Sequence, residues 1–361
     1  MTEDSTETLT VAHPEERRCS LLLPGLLSLS STASSAVFAQ VGRVSELETF
    51  FSRALCRDYP GTALEDSLFG LFDVDLQENQ DLPVAAVARV GEGGDGDGQW
   101  WLCANPVQLI PDRDQLVLLG PESLGLSQAE ADQLVNELNT QLADESWQLE
   151  ASSPTRWYLR QHHVPQLHTT PLGQVRKGAI GKHMPRGDDG PQWRRLLNEM
   201  QMVLHNSVVN RDRQAMGQPA VSSVWFWGGG IAPRVMPSRW SQLWADEPLA
   251  QGLASLSSTP RQALPANARV WLGQAIAPGE HLLLLTSLDD CWQAGDLSAW
   301  ARQVRNFNRE WLAPLLDALR ENTLGELSIY TCDGRRFILT RKGMRRWWRR
   351  KRSLGEIDTR N

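Results

Sequence analysis

The sequence predicts an α/β protein carrying an inserted α+β piece, and three observations point there. Apolar runs of strand length alternate with amphipathic helical stretches, the order that builds a sheet covered by helices. The middle of the chain is richer in short strands than either end, which marks an insertion. The chain has 361 residues, enough for one large or two ordinary domains with an ample core.

Residues 1–17 are polar and predict a disordered leader. Residues 19–23 read as a short buried strand, ended by Pro24 and Gly25. Ser45 and Glu48 have capping-box spacing and open a helix with Leu47, Phe50, Phe51, Ala54 and Leu55 on one face. Residues 83–90 and 100–103 read as the arms of a hairpin around GEGGDGDG, whose acids lack the spacing of a calcium loop. Residues 107–110 and 116–119 flank PDRD as a second hairpin. Ser127 and Glu130 repeat the capping box, and Ala131, Leu134, Val135, Leu138 and Leu142 follow at helical spacing. Residues 157–159 read as a strand. Residues 192–205 predict a helix burying Trp193, Leu196, Leu197, Met200, Val203 and Leu204.

Residues 222–227 read as a strand that stops in the three glycines 228–230. Residues 268–272 and 281–286 look like buried strands. Residues 296–312 are amphipathic through Trp300, Val304, Phe307 and Trp311, with Pro314 set to kink or restart that helix. Residues 327–331 and 337–340 form a last hairpin around CDGR.

Composition sets limits on function. With 41% hydrophobic and 22% charged residues, the chain has the balance of a soluble globular protein. The net charge of −7 gives no strong case for nucleic acid as a partner. The five scattered cysteines lack CxxC spacing, which suits free thiols in a reducing compartment. The segment RRCSLLLPGLLSLSSTASSAVFAQ resembles a secretion signal, but a polar leader precedes it and Pro24-Gly25 interrupts its apolar run. No stretch approaches a membrane span, so a cytoplasmic location is expected.

Local motifs for chemistry are weak. His162, His163 and His168 lie in a polar loop with no Cys or acid to complete a metal set. His183 with Asp188 and Asp189 reads more simply as a loop leading into the next helix. There is no GxSxG elbow and no Walker motif. The glycine triplet is open to two readings, a tight turn or an anion cradle of bare backbone N–H groups. Arg345, Arg346, Trp347, Trp348, Arg349 and Arg350 interleave cations with aromatics, in a run of ten Lys or Arg over 335–352 with no acid. That run either grips a polyanion or lies on the protein's own acidic body.

Two longer stretches carry more. PDRDQLVLLGPESLGLSQAEADQLVNELN (111–139) and WRRLLNEMQMVLHNSVVNRDRQAMGQPAVSSVWFWGGG (193–230) resemble the RpfE-type bacterial regulatory protein family. Asn210, Arg213, Gly217, Trp227 and the glycines are the most specific part, and the resemblance runs from about residue 19 to 350. The same pattern is similar to the archaeal-type, cofactor-independent phosphoglycerate mutases of the alkaline-phosphatase-like superfamily. In those enzymes a first strand ends in a metal-binding Asp-Gly; here Pro24 stands at that Asp. Their later His-bearing segments correspond to LLLLTSLDDCWQAGD, which keeps Asp289, Asp290 and Asp296 without a His, and to IYTCDGRRF, where Gly334 follows Asp333 in place of His.

The resemblance therefore implies an alkaline-phosphatase-like core sheet at 18–69 and 207–340, an inserted α+β subdomain at 70–206 and a basic tail at 341–361. It implies lost metal ligands, hence a regulatory pseudoenzyme with no cofactor and no catalytic residues, binding a phosphorylated small molecule or a regulatory protein partner. Arg113, Arg156, Asn210, Arg213, Trp227, Gly228, Gly229 and Gly230 are the expected ligand-binding residues; the alternative is that the arginines pair with acids inside the fold. Two other functions stay open. One is an active mutase or phosphatase with manganese or another divalent metal on rearranged ligands drawn from Asp112, His183, Asp188, Asp189 and Asp333. The other is a polyanion-binding module acting through the tail.

Overall fold

The computed structural model describes residues 17–27, 34–75, 80–96, 98–112, 115–143, 146–175, 180–275, 277–346, 348–351 and 353–358. Residues 1–16 of the expected leader, Arg113 and Trp347 lie outside the described residues. The strands are β1 (Arg17–Leu22), β2 (Leu55–Asp58), β3 (Trp100–Asp112), β4 (Gln115–Leu119), β5 (Trp147–Ala151), β6 (Trp157–Gln161), β7 (Ser223–Ile231), β8 (Trp240–Trp244), β9 (Arg261–Gln262), β10 (Gly279–Leu284), β11 (Glu326–Tyr330) and β12 (Arg335–Thr340). The chain forms two compact units, one drawn from Met1–Gly70, Pro237–Glu247 and Ser258–Asn361, the other from Leu71–Met236 and Pro248–Ser257.

The first unit is a seven-stranded sheet in the order β2-β12-β11-β1-β10-β8-β9. β1 runs parallel to both β10 and β11, so Cys19 faces His281 on one side and Leu327 on the other. From Cys19 on, β1 is buried on both faces, which is why its sequence reads as a continuous apolar run rather than an alternating one. The start of the signal-like segment, Arg17–Leu22, is therefore the central strand of a sheet. Helices Ser45–Arg53, Leu297–Asn306 and Ala313–Arg320 contribute to its core. A π-helical turn, Phe307–Leu312, joins the last two where Pro314 denies its N–H to a regular helix.

The second unit is built on β3, whose thirteen residues pair with β6, β7 and β4 along their length, and β5 completes the sheet beside β6. Helices Gln128–Gln141 and Gly190–Asn206 bury Leu134, Leu138, Trp193, Leu197 and Met200 in its core. The boundary expected at 206 falls instead after 236, because β7 is a strand of this sheet rather than of the core sheet.

Several local expectations are corrected. Val84–Gly91 is a helix, not a hairpin arm; three alanines favour helix and the stretch is buried on most sides. Ala268–Gln274 is also a helix, started by Asn267, whose side chain accepts from the Val270 N–H. Ser45 is inside its helix rather than capping it: its hydroxyl bonds Glu46, and the Leu47 N–H is taken by Asn308 Oδ1 at 2.9 Å. The Ser127 box does form, with Ser127 N–H on Glu130 Oε2 at 2.8 Å and the reciprocal bond present. Among the described residues no helix is long and apolar enough to cross a membrane.

Candidate functional site

Open α/β sheets present their reactive groups at the carboxyl ends of the parallel strands. In the first unit those ends belong to β1, β8, β10 and β11. β1 runs out through Leu23, whose N–H donates to Tyr330 O, and turns at Pro24 and Gly25. Gly25 has φ +79°, and a Cβ there would lie 2.6 Å from the Asp289 backbone nitrogen, so the turn seats directly on the segment after β10. The indole of Trp300 holds the Gly25 carbonyl at 2.8 Å.

Acids from separate segments gather at this edge. Burial pushes the Glu65 carboxyl up to about 7, with Glu247, Asp289 and Asp66 adding repulsion. Burial likewise pushes the Cys332 thiol up to about 12, with Asp289 and Glu65 adding to the rise. Cys332 is therefore a neutral thiol, held at φ +54° directly after β11. Asp333 is committed: Oδ1 accepts from the Thr331 hydroxyl at 2.5 Å and Oδ2 from Arg335 Nε at 2.7 Å. Asp290 accepts from Thr286, and Asp296 caps the helix Leu297–Asn306 through the Ala299 N–H.

The donor set at this edge bears on the metals that the mutase resemblance implies. Pro24 offers no side-chain donor, the thiol is protonated and Asp333 is tied to an arginine. Among the described residues no three His, Cys, Asp or Glu converge as a metal set, at this edge or at His162, His163 and His168. His281 sits fully buried inside β10, its Nδ1 accepting from Trp244 Nε1 at 3.3 Å and Nε2 lying 3.0 Å from Ala277 O. Burial lowers its pKa, keeping the imidazole neutral. Of the other proposed ligands, His183, Asp188 and Asp189 belong to the second unit, where Asp189 Oδ2 accepts the Gln166 N–H at 2.8 Å.

The raised Glu65 pKa has a measurable consequence. Between the ordinary 4.5 and about 7 the folded chain keeps a proton that the unfolded chain releases, so this group's contribution falls as pH rises through that window. Glu65→Gln is expected to be more stable than the parent at pH 8, by about 2 kcal/mol after allowance for solvent screening, and equal to it near pH 4.5. Urea midpoints across that range check this; a difference that stays constant with pH contradicts it.

Of the ligand-binding residues expected from sequence, Arg156, Asn210, Arg213 and Trp227 lie in the second unit and make bonds within it. Arg213 is 1% exposed; Nε donates to Pro219 O at 2.9 Å, Nη1 to Glu130 Oε1 at 2.8 Å and Nη2 to Leu124 O. Asn210 spans Leu204 O, Val221 O and the Val221 N–H. Arg156 Nε donates to Glu92 at 2.6 Å. Trp227 Nε1 donates to Asn105 at 2.6 Å.

The glycines form no loop. Gly228, Gly229 and Gly230 are part of β7, at a β-bulge in its pairing with β3, and Gly228 takes φ +66° there. Side chains at the three would strike Val84, Trp100 and Pro83 at 2.9, 2.4 and 2.5 Å, and the Gly228 N–H already bonds Thr169 Oγ1. Close packing by itself requires glycine at these three positions.

The basic segment folds back on its own unit. Arg346 Nη1 donates to Arg53 O at 3.2 Å and Arg349 Nη1 to Ala54 O at 3.4 Å, closing the carboxyl end of helix Ser45–Arg53. Arg350 lies 3.8 Å from Glu356, whereas Arg345 and Trp348 are exposed. Sequence reasoning passed over Glu65, Glu247 and Cys332; the acids immediately after WSQLW were the available signal for Glu247.

Comparison with known proteins agrees with this architecture. No family model matches the chain. It is 26% identical over 132 residues to a probable 2,3-bisphosphoglycerate-independent phosphoglycerate mutase of Geobacter sulfurreducens, covering 36% of this chain and 33% of that protein. It is 24% identical over 214 residues to 2,3-bisphosphoglycerate-independent phosphoglycerate mutase 2 of Methanothermobacter thermautotrophicus, covering 54% and 53%. The matches thus span a third to about half the length of these curated relatives. Among solved structures, the PH0037 protein of Pyrococcus horikoshii superposes with a TM-score of 0.56 at 12% identity, over 90% of this chain and 87% of that one. That likeness shows the α/β fold, and the sequence matches make the chain a distant homologue of cofactor-independent phosphoglycerate mutases.

Proposed function

We propose that this chain is a phosphoglycerate-mutase-like pseudoenzyme that regulates by binding rather than by phosphoryl transfer. The observation that carries the reading is Asp333: its carboxylate is consumed by Thr331 and Arg335 at the edge where a two-metal site would need it free. Pro24 after the central strand supports the same reading, and the RpfE-type resemblance supports the regulatory part.

The test combines three readouts on the purified protein: metal content after manganese loading and dialysis, mutase turnover of 3-phosphoglycerate, and the unfolding midpoint with each ligand alone and together. The expected result is no stoichiometric metal, no turnover and no manganese-dependent shift, since only a ligand that binds the folded state raises stability by mass action. Stoichiometric metal together with turnover establishes the active-mutase alternative instead.

A further inference from the structure

A cavity of about 460 Å³ in the second unit is lined by Gly181, Lys182, Met184, Arg186 and Arg194. Three of these five residues are cations and none is an acid. Residues Ile180–His183 form a 3-10 turn anchored by buried Ile180, and Met184 packs against the apolar core. Arg186 and His168 exchange both backbone hydrogen bonds at 2.9 Å. Arg194 projects from the helix Gly190–Asn206, with Nη1 on Pro185 O, and Arg186 Nη2 donates to Lys182 O. These backbone bonds orient both guanidinium groups without neutralising them. Among the described residues no carboxylate pairs with Lys182, Arg186 or Arg194, although Asp188 and Asp189 follow closely in sequence. Asp189 is occupied by the Gln166 N–H, and Asp81 by Thr169 and His168.

Three cations thus line one cavity, and among the described residues none of them is paired with any of the protein's 43 acidic residues. We propose that this cavity is an anion site for a phosphate-bearing small molecule. Two guanidinium forks and an ammonium match the several oxygens of a phosphate group. The volume lies within the range of small-molecule sites. The proposal deepens the binding reading above by naming a ligand site, and it rests on none of the groups at the sheet edge.

The experiment is calorimetric titration of the full chain with inorganic pyrophosphate at low and at moderate salt. Saturable binding at one site per chain is expected, weakened about tenfold or more by Lys182→Glu/Arg186→Glu and by added salt. Both side chains are exposed, so the double variant should unfold at the parental temperature. Lys182→Ala, which removes no mapped hydrogen bond, should weaken binding several-fold on its own. Arg345→Glu in the basic segment serves as the control and should bind as the parent does. Non-saturable heats, unchanged affinity in the double variant, or a loss confined to Arg345→Glu each overturns the proposal. None of these outcomes alters the metal and turnover tests, so the two readings fail separately.

Discussion

Arg213→Ala is expected to cost about 3–5 kcal/mol and to lower the unfolding midpoint by on the order of 10 °C. The guanidinium is one of the largest fully buried side chains in the protein and makes its bonds to three separate segments. Truncation strands the Leu124 carbonyl, which is in a buried bond, and the half-buried Pro219 carbonyl, and removes the partner of Glu130 Oε1. It also leaves a cavity where the side chain was. Arg213→Lys should recover only part of the loss, because one ammonium on a flexible stem cannot reach three acceptors in the plane of a fork. Glu130→Gln should cost less than either, since its side chain is 25% exposed and it keeps the capping bond to Ser127. Thermal unfolding of the three variants checks the order. A parental midpoint for Arg213→Ala would mean that the internal bonds contribute little, and would return Arg213 to the ligand-binding role that its sequence context implies.

How far the sequence could be read depended on the kind of signal. β1, β10 and β11 were legible because a parallel strand buried on both faces is a bare apolar run, and nothing else in a short stretch such as CSLLL competes with that reading. The same rule misled at 83–90 and 268–272, where short apolar runs carry no period long enough to separate strand from helix. At the second of these, Asn267 was the distinguishing residue, and its capping bond to Val270 appears only when the backbone turns. The glycine triplet was legible as special, with two readings of its role left open. A glycine needed by a bulge against Trp100 and one needed by an anion look identical in a chain of letters.

The candidate site divides in the same way. Asp289 and Asp333 were visible through resemblance, because they follow strands at matching places. Glu65 and Cys332 were not, since their meeting is a property of the sheet's strand order and not of any local spacing. The internal partners of Arg156 and Arg213, Glu92 and Glu130, are 64 and 83 residues away in sequence, so no local pattern could separate a structural arginine from a ligand-binding one.

Gly252→Ala is expected to destabilise the second unit by about 2–3 kcal/mol, against the usual direction of that change in a helix. At an open helical position alanine gains up to about 1 kcal/mol over glycine. Here the helix Pro248–Leu256 meets the helix Val84–Gly91 backbone to backbone. A Cβ on Gly252 would lie 1.9 Å from Val87 O, and one on Gly91 would lie 2.0 Å from Pro248 O. Both obstacles are carbonyls of a helix, which cannot rotate away as a side chain can. The two helices must separate, and buried Val87, Ala88, Leu249 and Leu253 then lose close packing. Because either substitution forces the same separation, Gly91→Ala/Gly252→Ala should cost clearly less than the sum of the single changes. Amide exchange in Val84–Gly91 should quicken in each variant. Additive losses, or a Gly252→Ala protein more stable than the parent, would mean that the crossing gives way without unpacking the residues around it.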